Sequence, residues 1–175
     1  PDTSDKYNPF KDTSPTVIKD MIINLSVWSE EHYKQNAERY LQRLIELLNL
    51  SKIPLSLHSI TNNIAVDKFS MLSANLSKAD VITKDAHLHN MDIAKVCGSI
   101  AESAAARFTN LIENEIGVIF SDEGIDIYTA IKENAVIVFI LNPLLYPELS
   151  NAFGKLLIID SKKAVAKLYL SLIYI

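Results

Sequence analysis

The sequence predicts a mainly α-helical fold, a bundle of about six to eight helices ending in a helix-strand-helix fragment of an α/β layer. Three observations predict it. Apolar residues recur at helical spacing from Val17 to Phe108, and the runs are separated by capping and breaking residues. The run Ala135–Leu141 (AVIVFIL) is apolar at all seven positions, the pattern of a strand buried on both faces in a helix-covered sheet. One other short candidate strand accompanies it, Gly117–Ser121 (GVIFS), so the sheet is expected as a fragment. The chain therefore divides into an all-α domain at 1–116 and a return segment at 117–175. The opening on Pro1 and the uncapped apolar run Leu168–Ile175 carry the same expectation, a piece cut from a larger protein.

In chain order, residues 1–13 are polar, and Asn8-Pro9 favours an extended or turned segment anchored by Tyr7 and Phe10. Ser14-Pro15 is a helix start, and Val17, Ile18, Met21, Ile22 and Leu25 supply the apolar face of a helix running to about Val27. Ser29 is the expected cap of the second helix, with Glu30 and Glu31 in its first turn. Tyr33, Ala37, Tyr40, Leu41, Leu44 and Leu48 form its stripe, and Pro54 ends the pattern. Two short helices follow, Leu57–Ile64 after Ser56 and Asp67–Leu76. A long helix runs from Asn90 or earlier to Asn114, burying Ile93, Val96, Cys97, Ile100, Ala104 and Phe108, with Gly98 and Ala104–Ala106 allowing close approach. Asp126–Glu133 reads as a short helix stopped by a left-handed Asn134. After the strand and the turn NPLLYPE, a last helix runs from about Glu148 to at least Leu168, where Gly154 suggests tight packing.

Composition narrows the function classes. Charged residues are 22% and hydrophobic residues 49%, a globular balance. The longest apolar runs are less than half of the roughly 20 residues that cross a bilayer, and the N-terminal stretch lacks a signal-peptide pattern. The lone Cys97 excludes an internal disulfide and reads as a small buried apolar residue, which suits a cytoplasmic setting. Net charge is −4; residues 1–90 carry ten basic and eleven acidic side chains and residues 91–175 seven and ten, so neither half is basic. Nucleic-acid affinity rests on phosphate contacts, so the chain alone is expected to bind DNA weakly.

Motifs of catalysis are absent. There is no G-x-x-x-x-G-K-[ST] or G-x-G-x-x-G, so the chain has no phosphate cradle and no cofactor is expected in it. Asp85, His87, His89 and Asp92 lack the i, i+4 histidine spacing of a metal helix, Ser29, Glu31 and His32 are too close in sequence to form a triad, and the acidic loop Asp122–Asp126 lacks a bidentate downstream Glu. No catalytic or metal residue is expected. The binding candidates are Lys34, Arg39 and Arg43 on the second helix and Lys68 on the fourth, although Lys34 and Arg43 fall on opposite helix faces. Leu57–Leu76 has the length of a helix-turn-helix, with only Lys68 and Asn75 to read bases.

Two segments resemble a known family. SDKYNPF, followed by VWSEEHYKQNAERYLQRLIELL, resembles the start of the all-α domain of type IV secretion coupling proteins, the TraD/TraG-like conjugative ATPases. IDIYTAIKENAVIVFILNPLLYPELSNAFGKLLIIDSKKAV is similar to the segment by which that family's chain returns to its RecA-like motor domain. The resemblance implies an all-α domain inserted in a hexameric, DNA-pumping ATPase at the cytoplasmic face of the inner membrane, one that recognises relaxase, relaxosome and possibly single-stranded DNA. ATP and Mg would serve the full-length protein, since the nucleotide-binding residues have no counterpart here. The alternatives are a sequence-reading DNA-binding protein that uses Leu57–Leu76, and a protein-interaction scaffold that makes no DNA contact.

Overall fold

Capping chemistry places the helices of this chain, seen in a computed structural model that describes residues 5–25, 27–113 and 117–173. Among the described residues the elements are α1 (Pro15–Asn24), α2 (Glu31–Leu50), α3 (Leu57–Asn63), α4 (Val66–Lys78), α5 (Lys84–Ile112), a 3-10 turn (Gly117–Ile119), α6 (Ile127–Lys132) and α7 (Pro147–Ile173). The expected long-helix end at Asn114 and residues 1–4 and 174–175 lie outside them.

Ser56 starts α3 with a full capping box, its hydroxyl accepting from the Ser59 N–H while Ser59 Oγ accepts from the Ser56 N–H. Thr83 caps α5 through the Ala86 N–H, and Asp126 caps α6 through the Thr129 N–H. Ser29 does not cap α2; Glu30 occupies that position without a side-chain bond. The start of α4 is satisfied from a distance, the Val66 N–H donating to Glu102 of α5 at 2.7 Å. Helices α2, α4 and α6 end alike, on a left-handed residue at Lys52, Asp80 and Asn134. Beyond each, a backbone N–H returns to the last turn: Ile53 to Leu48 O, Val81 to Leu76 O, and Ala135 to Ala130 O.

The mainly helical bundle is as the periodicity predicts, and α2 is its hub, with α1, α3, α4 and α5 packed around it. Ala37, Tyr40, Leu41, Leu44 and Leu48 are all buried, while the outlying Tyr33 is exposed. Tyr40 stacks on Phe69 of α4 at 4.6 Å, and its hydroxyl donates to the Ile64 carbonyl. At Gly98 a Cβ would collide with Val66 Cγ2, so the close approach of α5 to α4 requires glycine. Two expectations fail in detail. Val96 is 60% exposed because it sits one position off the α5 stripe, and a Cβ at Gly154 would touch nothing, so that glycine marks no tight contact.

The largest departure concerns the strands. Gly117–Ile119 is a 3-10 turn, and the pairing near it consists of two isolated parallel bridges, from Tyr7 to Phe120 and to Ile125. Ala135–Leu141 is extended but lies in no ladder among the described residues. A strand is completed by its neighbours, and here none is alongside. The expected helix-strand-helix fragment is therefore not formed among the described residues: α6 and α7 flank a run that pairs with no strand.

Candidate functional site

The segment Lys6–Phe10 is a rivet that joins distant parts of the chain. The Tyr7 N–H donates to the Ile119 carbonyl at 2.7 Å and the Asn8 N–H to the Ile125 carbonyl at 3.1 Å, while the Ser121 and Ile125 N–H groups donate back to Tyr7 and Lys6. Asn8 Oδ1 accepts from the Phe10 N–H, closing an Asx turn across Pro9, and its amide nitrogen donates to the Leu55 and Asp122 carbonyls. Gly124 permits this approach, because a Cβ there would run into the backbone of Tyr7 and Asn8.

Beneath the rivet lies a buried charge. Asp160 of α7 is fully buried; its Oδ2 accepts the Tyr7 hydroxyl at 2.7 Å, and its Oδ1 lies 2.6 Å from Lys163 Nζ as an ion pair without hydrogen-bond alignment. Lys163 also donates to the Pro9 carbonyl and to Thr13 Oγ1, so its charge is well solvated by protein. Burial, then the Asp160 carboxylate, push the Tyr7 phenol far above its ordinary range. Asp126 behaves oppositely. Burial works to raise it, but bonds from Thr129 and the charges of Lys11 and Lys163 outweigh that and hold it below the usual carboxylate value.

Beside the rivet opens a cleft of about 910 Å³, lined by Val118, Ile119 and Glu123–Asp126, by Thr129 and Ala130 of α6 and by the whole run Ala135–Leu141. The run alternates. Phe139 turns inward against Tyr7 and Phe153, with ring centroids at 5.4 and 5.6 Å, and Leu141 packs on the core. Val136, Val138 and Ile140 are 89%, 73% and 92% exposed. Leu144 and Leu145 continue this apolar surface, and Ile158, Val165 and Tyr169 expose a second stripe on α7 at helical spacing. Exposed apolar side chains on this scale mark surface built for contact.

The cationic candidates are dispersed. Arg39 and Lys68 are exposed, and Lys34 is half-buried with Glu31 at 3.7 Å. Arg43 is turned into the protein, its Nε donating to Asn90 at 2.6 Å and its Nη1 to Glu46 at 2.8 Å. Asn90 in turn donates to Ser73, whose hydroxyl is 3.0 Å from His87 Nδ1. This chain resembles a Ser-His pair, yet Ser73 and Asn90 are fully buried, so no substrate reaches the hydroxyl and the network serves to lock α2, α4 and α5. Cys97 is buried and donates to Asn36; burial pushes its thiol up, only partly opposed by Arg39. No group of metal-type ligands converges among the described residues, Asp85, His87, His89 and Asp92 included. In the proposed helix-turn-helix, α4 buries Phe69, Ser73 and Leu76 and exposes Asp67, Lys68, Met71 and Asn75.

No family model, curated protein or solved structure matches the chain. Among the described residues no helix is long and apolar enough to cross a membrane.

Sequence reasoning singled out Tyr7, Asn8-Pro9 and the apolar run, and reached Asp160 only as part of the segment that carries the resemblance, but not Lys163 or the Arg43–Asn90–Ser73–His87 network. A signal for Asp160 existed. It is the one acid between Glu148 and the end of the chain, placed directly after the apolar stretch Leu156–Ile159.

Proposed function

We propose that this chain is a substrate-recognition module of a conjugative coupling ATPase, an all-α domain with the strand and helix by which it rejoins a RecA-like motor. In this reading α1–α5 form the recognition domain, Val136–Ile140 is a strand of the motor sheet, and α7 covers one face of that sheet. The module recruits relaxase or relaxosome proteins, with single-stranded DNA as a secondary contact near Lys34, Arg39 and Lys68. ATP and Mg belong to the motor.

One observation carries the reading. The two segments that bracket the chain and carry the resemblance are clasped together, Tyr7 to Asp160, Asn8 to Ile125 and Lys163 to Pro9. A domain inserted into another leaves and re-enters its host through neighbouring connections, and this clasp supplies that geometry. The run with one covered and one bare face is what a sheet strand looks like beside its helix alone.

Two experiments test the proposal. Reading the coding sequence on both sides should reveal a G-x-x-x-x-G-K-[ST] segment upstream and an acidic metal-binding strand downstream; absence of both overturns the motor reading. Immobilised chain should also retain a relaxase from a conjugative donor, with Arg39→Glu plus Lys68→Glu weakening any DNA-dependent part. Nanomolar, sequence-dependent DNA binding by the chain alone would favour a helix-turn-helix reader instead.

A further inference from the structure

We propose that the cleft beside Val136–Ile140 is a docking slot for one extended polypeptide strand that is apolar and β-branched in its middle and basic at its flanks. The inference deepens the reading above, in which the run is a sheet strand, by naming the chemistry of the strand beside it. Three observations carry it.

The first is the bare backbone. Ala135 donates to Ala130 and backbone bonding resumes only in the turn after Asn142, so the amides and carbonyls from Val136 to Leu141 have no intramolecular partner among the described residues. Peptide groups left without partners at an apolar surface are a template for strand addition. The second is that extended chain already pairs at this place, through the parallel bridges of Tyr7 with Phe120 and with Ile125, Tyr7 and Ile125 both lining the cleft. A strand entering the cleft finds backbone donors and acceptors on one side and Phe139, Tyr7 and Phe153 at its floor. Alternate side chains of the newcomer would meet Val118 and Ile125, which are 51% and 37% exposed.

The third observation is charge. The charged residues lining the cleft are Asp5, Glu123, Asp126 and Glu133 against Lys11, a net of −3. That Lys11 is partly engaged, its ammonium 3.5 Å from the Gly124 carbonyl. An acidic rim around an apolar slot selects basic flanks. It also disfavours a second copy of this chain as occupant, because the run is itself flanked by Glu133 and Glu148, which self-pairing would bring against the same acidic rim.

The test uses the ¹⁵N-labelled chain and three synthetic peptides with the same Val/Ile/Thr centre: one flanked by Lys and Arg, one flanked by Glu, and one Lys/Arg-flanked with a central proline. The basic peptide should slow amide exchange from Val136 to Ile140 by about tenfold or more at saturation, and its affinity should fall as salt is added. The Glu-flanked peptide should bind about tenfold more weakly, and the proline peptide should give no protection. Replacing the two exposed rim acids, Glu123→Lys with Glu133→Lys, should erase the preference for basic flanks while leaving helical circular dichroism unchanged. Equal binding of all three peptides, protection of these amides without any peptide, or no protection by any peptide would each overturn the slot. The coding-sequence test above is independent of these outcomes: a motor motif upstream with no peptide uptake would sink the slot and keep the motor, and the converse result would do the reverse.

Discussion

In α2 and α5 the apolar positions Tyr40, Leu41, Leu44, Cys97 and Ala101 are all within 1% of complete burial, whereas in the run before α7 Val136, Val138 and Ile140 are largely exposed to solvent. Both regions are rich in apolar side chains, yet they dispose of them in opposite ways. The five-helix region closes its core with its own residues and ties its polar interior through Arg43, Asn90, Ser73 and His87. The C-terminal region covers one face of its extended run and one stripe of α7 and leaves the other faces bare. At roughly 1.5–3 kcal/mol for each fully buried aliphatic side chain, covering Val136, Val138 and Ile140 would contribute about 5–9 kcal/mol. A difference of that size teaches that the first region completes its own core while the second leaves much of its apolar surface unburied.

The sharpest way to break the comparison is at Asp160, the buried charge that joins the regions. Asp160→Ala strands Lys163 and the Tyr7 hydroxyl, and should cost about 3–5 kcal/mol in urea unfolding. Asp160→Asn should cost less, because it keeps an acceptor for Tyr7. A loss under about 1 kcal/mol for the alanine variant would mean that the rivet does not hold the molecule together. Next in size is the core. Leu44→Ala should cost about 3 kcal/mol, through lost burial and the cavity it leaves.

Acid and alkali probe the same junction. Asp126 has a depressed pKa in the folded chain, so its contribution is present above the ordinary aspartate value near 3.9 and is lost as pH falls through the folded value. Stability should therefore decline below about pH 4, and Asp126→Asn should flatten that decline. Tyr7 and Tyr40 are raised, so their contributions are intact below about pH 10 and disappear as pH climbs above it, where the unfolded chain alone ionises. Absorbance at 295 nm should show two tyrosines titrating together with alkaline unfolding. Independent titration of either near pH 10 would contradict its burial.

The smallest effect is the most telling contrast. Val138→Ser lies in a segment as apolar as α2, yet should change stability by no more than about 0.5 kcal/mol, because the side chain is already in water. A loss as large as that of Leu44→Ala would show that the run is covered after all.

Much of the fold was legible because helix signals are local. The capping box at Ser56, the left-handed stop at Asn134 and the α2 stripe each depend on residues within a few positions of one another. What failed depended on distant partners. Ser29 reads as a cap but the chain enters α2 one residue later, and AVIVFIL reads as a two-sided strand although only one side finds a neighbour within the chain. The rivet was half visible. Tyr7 and Asn8-Pro9 announce a fixed turn, but the partner acid lies 153 residues away in a helix that sequence periodicity alone does not orient. The Arg43 network was missed for the same reason: its four residues come from three helices, and Arg43 reads as a free surface cation until Asn90 is seen beside it.

The most direct test of the central contrast is amide hydrogen exchange on the free chain. The account predicts slow exchange at Leu44 and Ile45 in α2 and at Cys97 and Ala101 in α5, with Val136–Ile140 exchanging at close to the rate of an unfolded peptide. Protection of Val136–Ile140 comparable to that of α2 would contradict it.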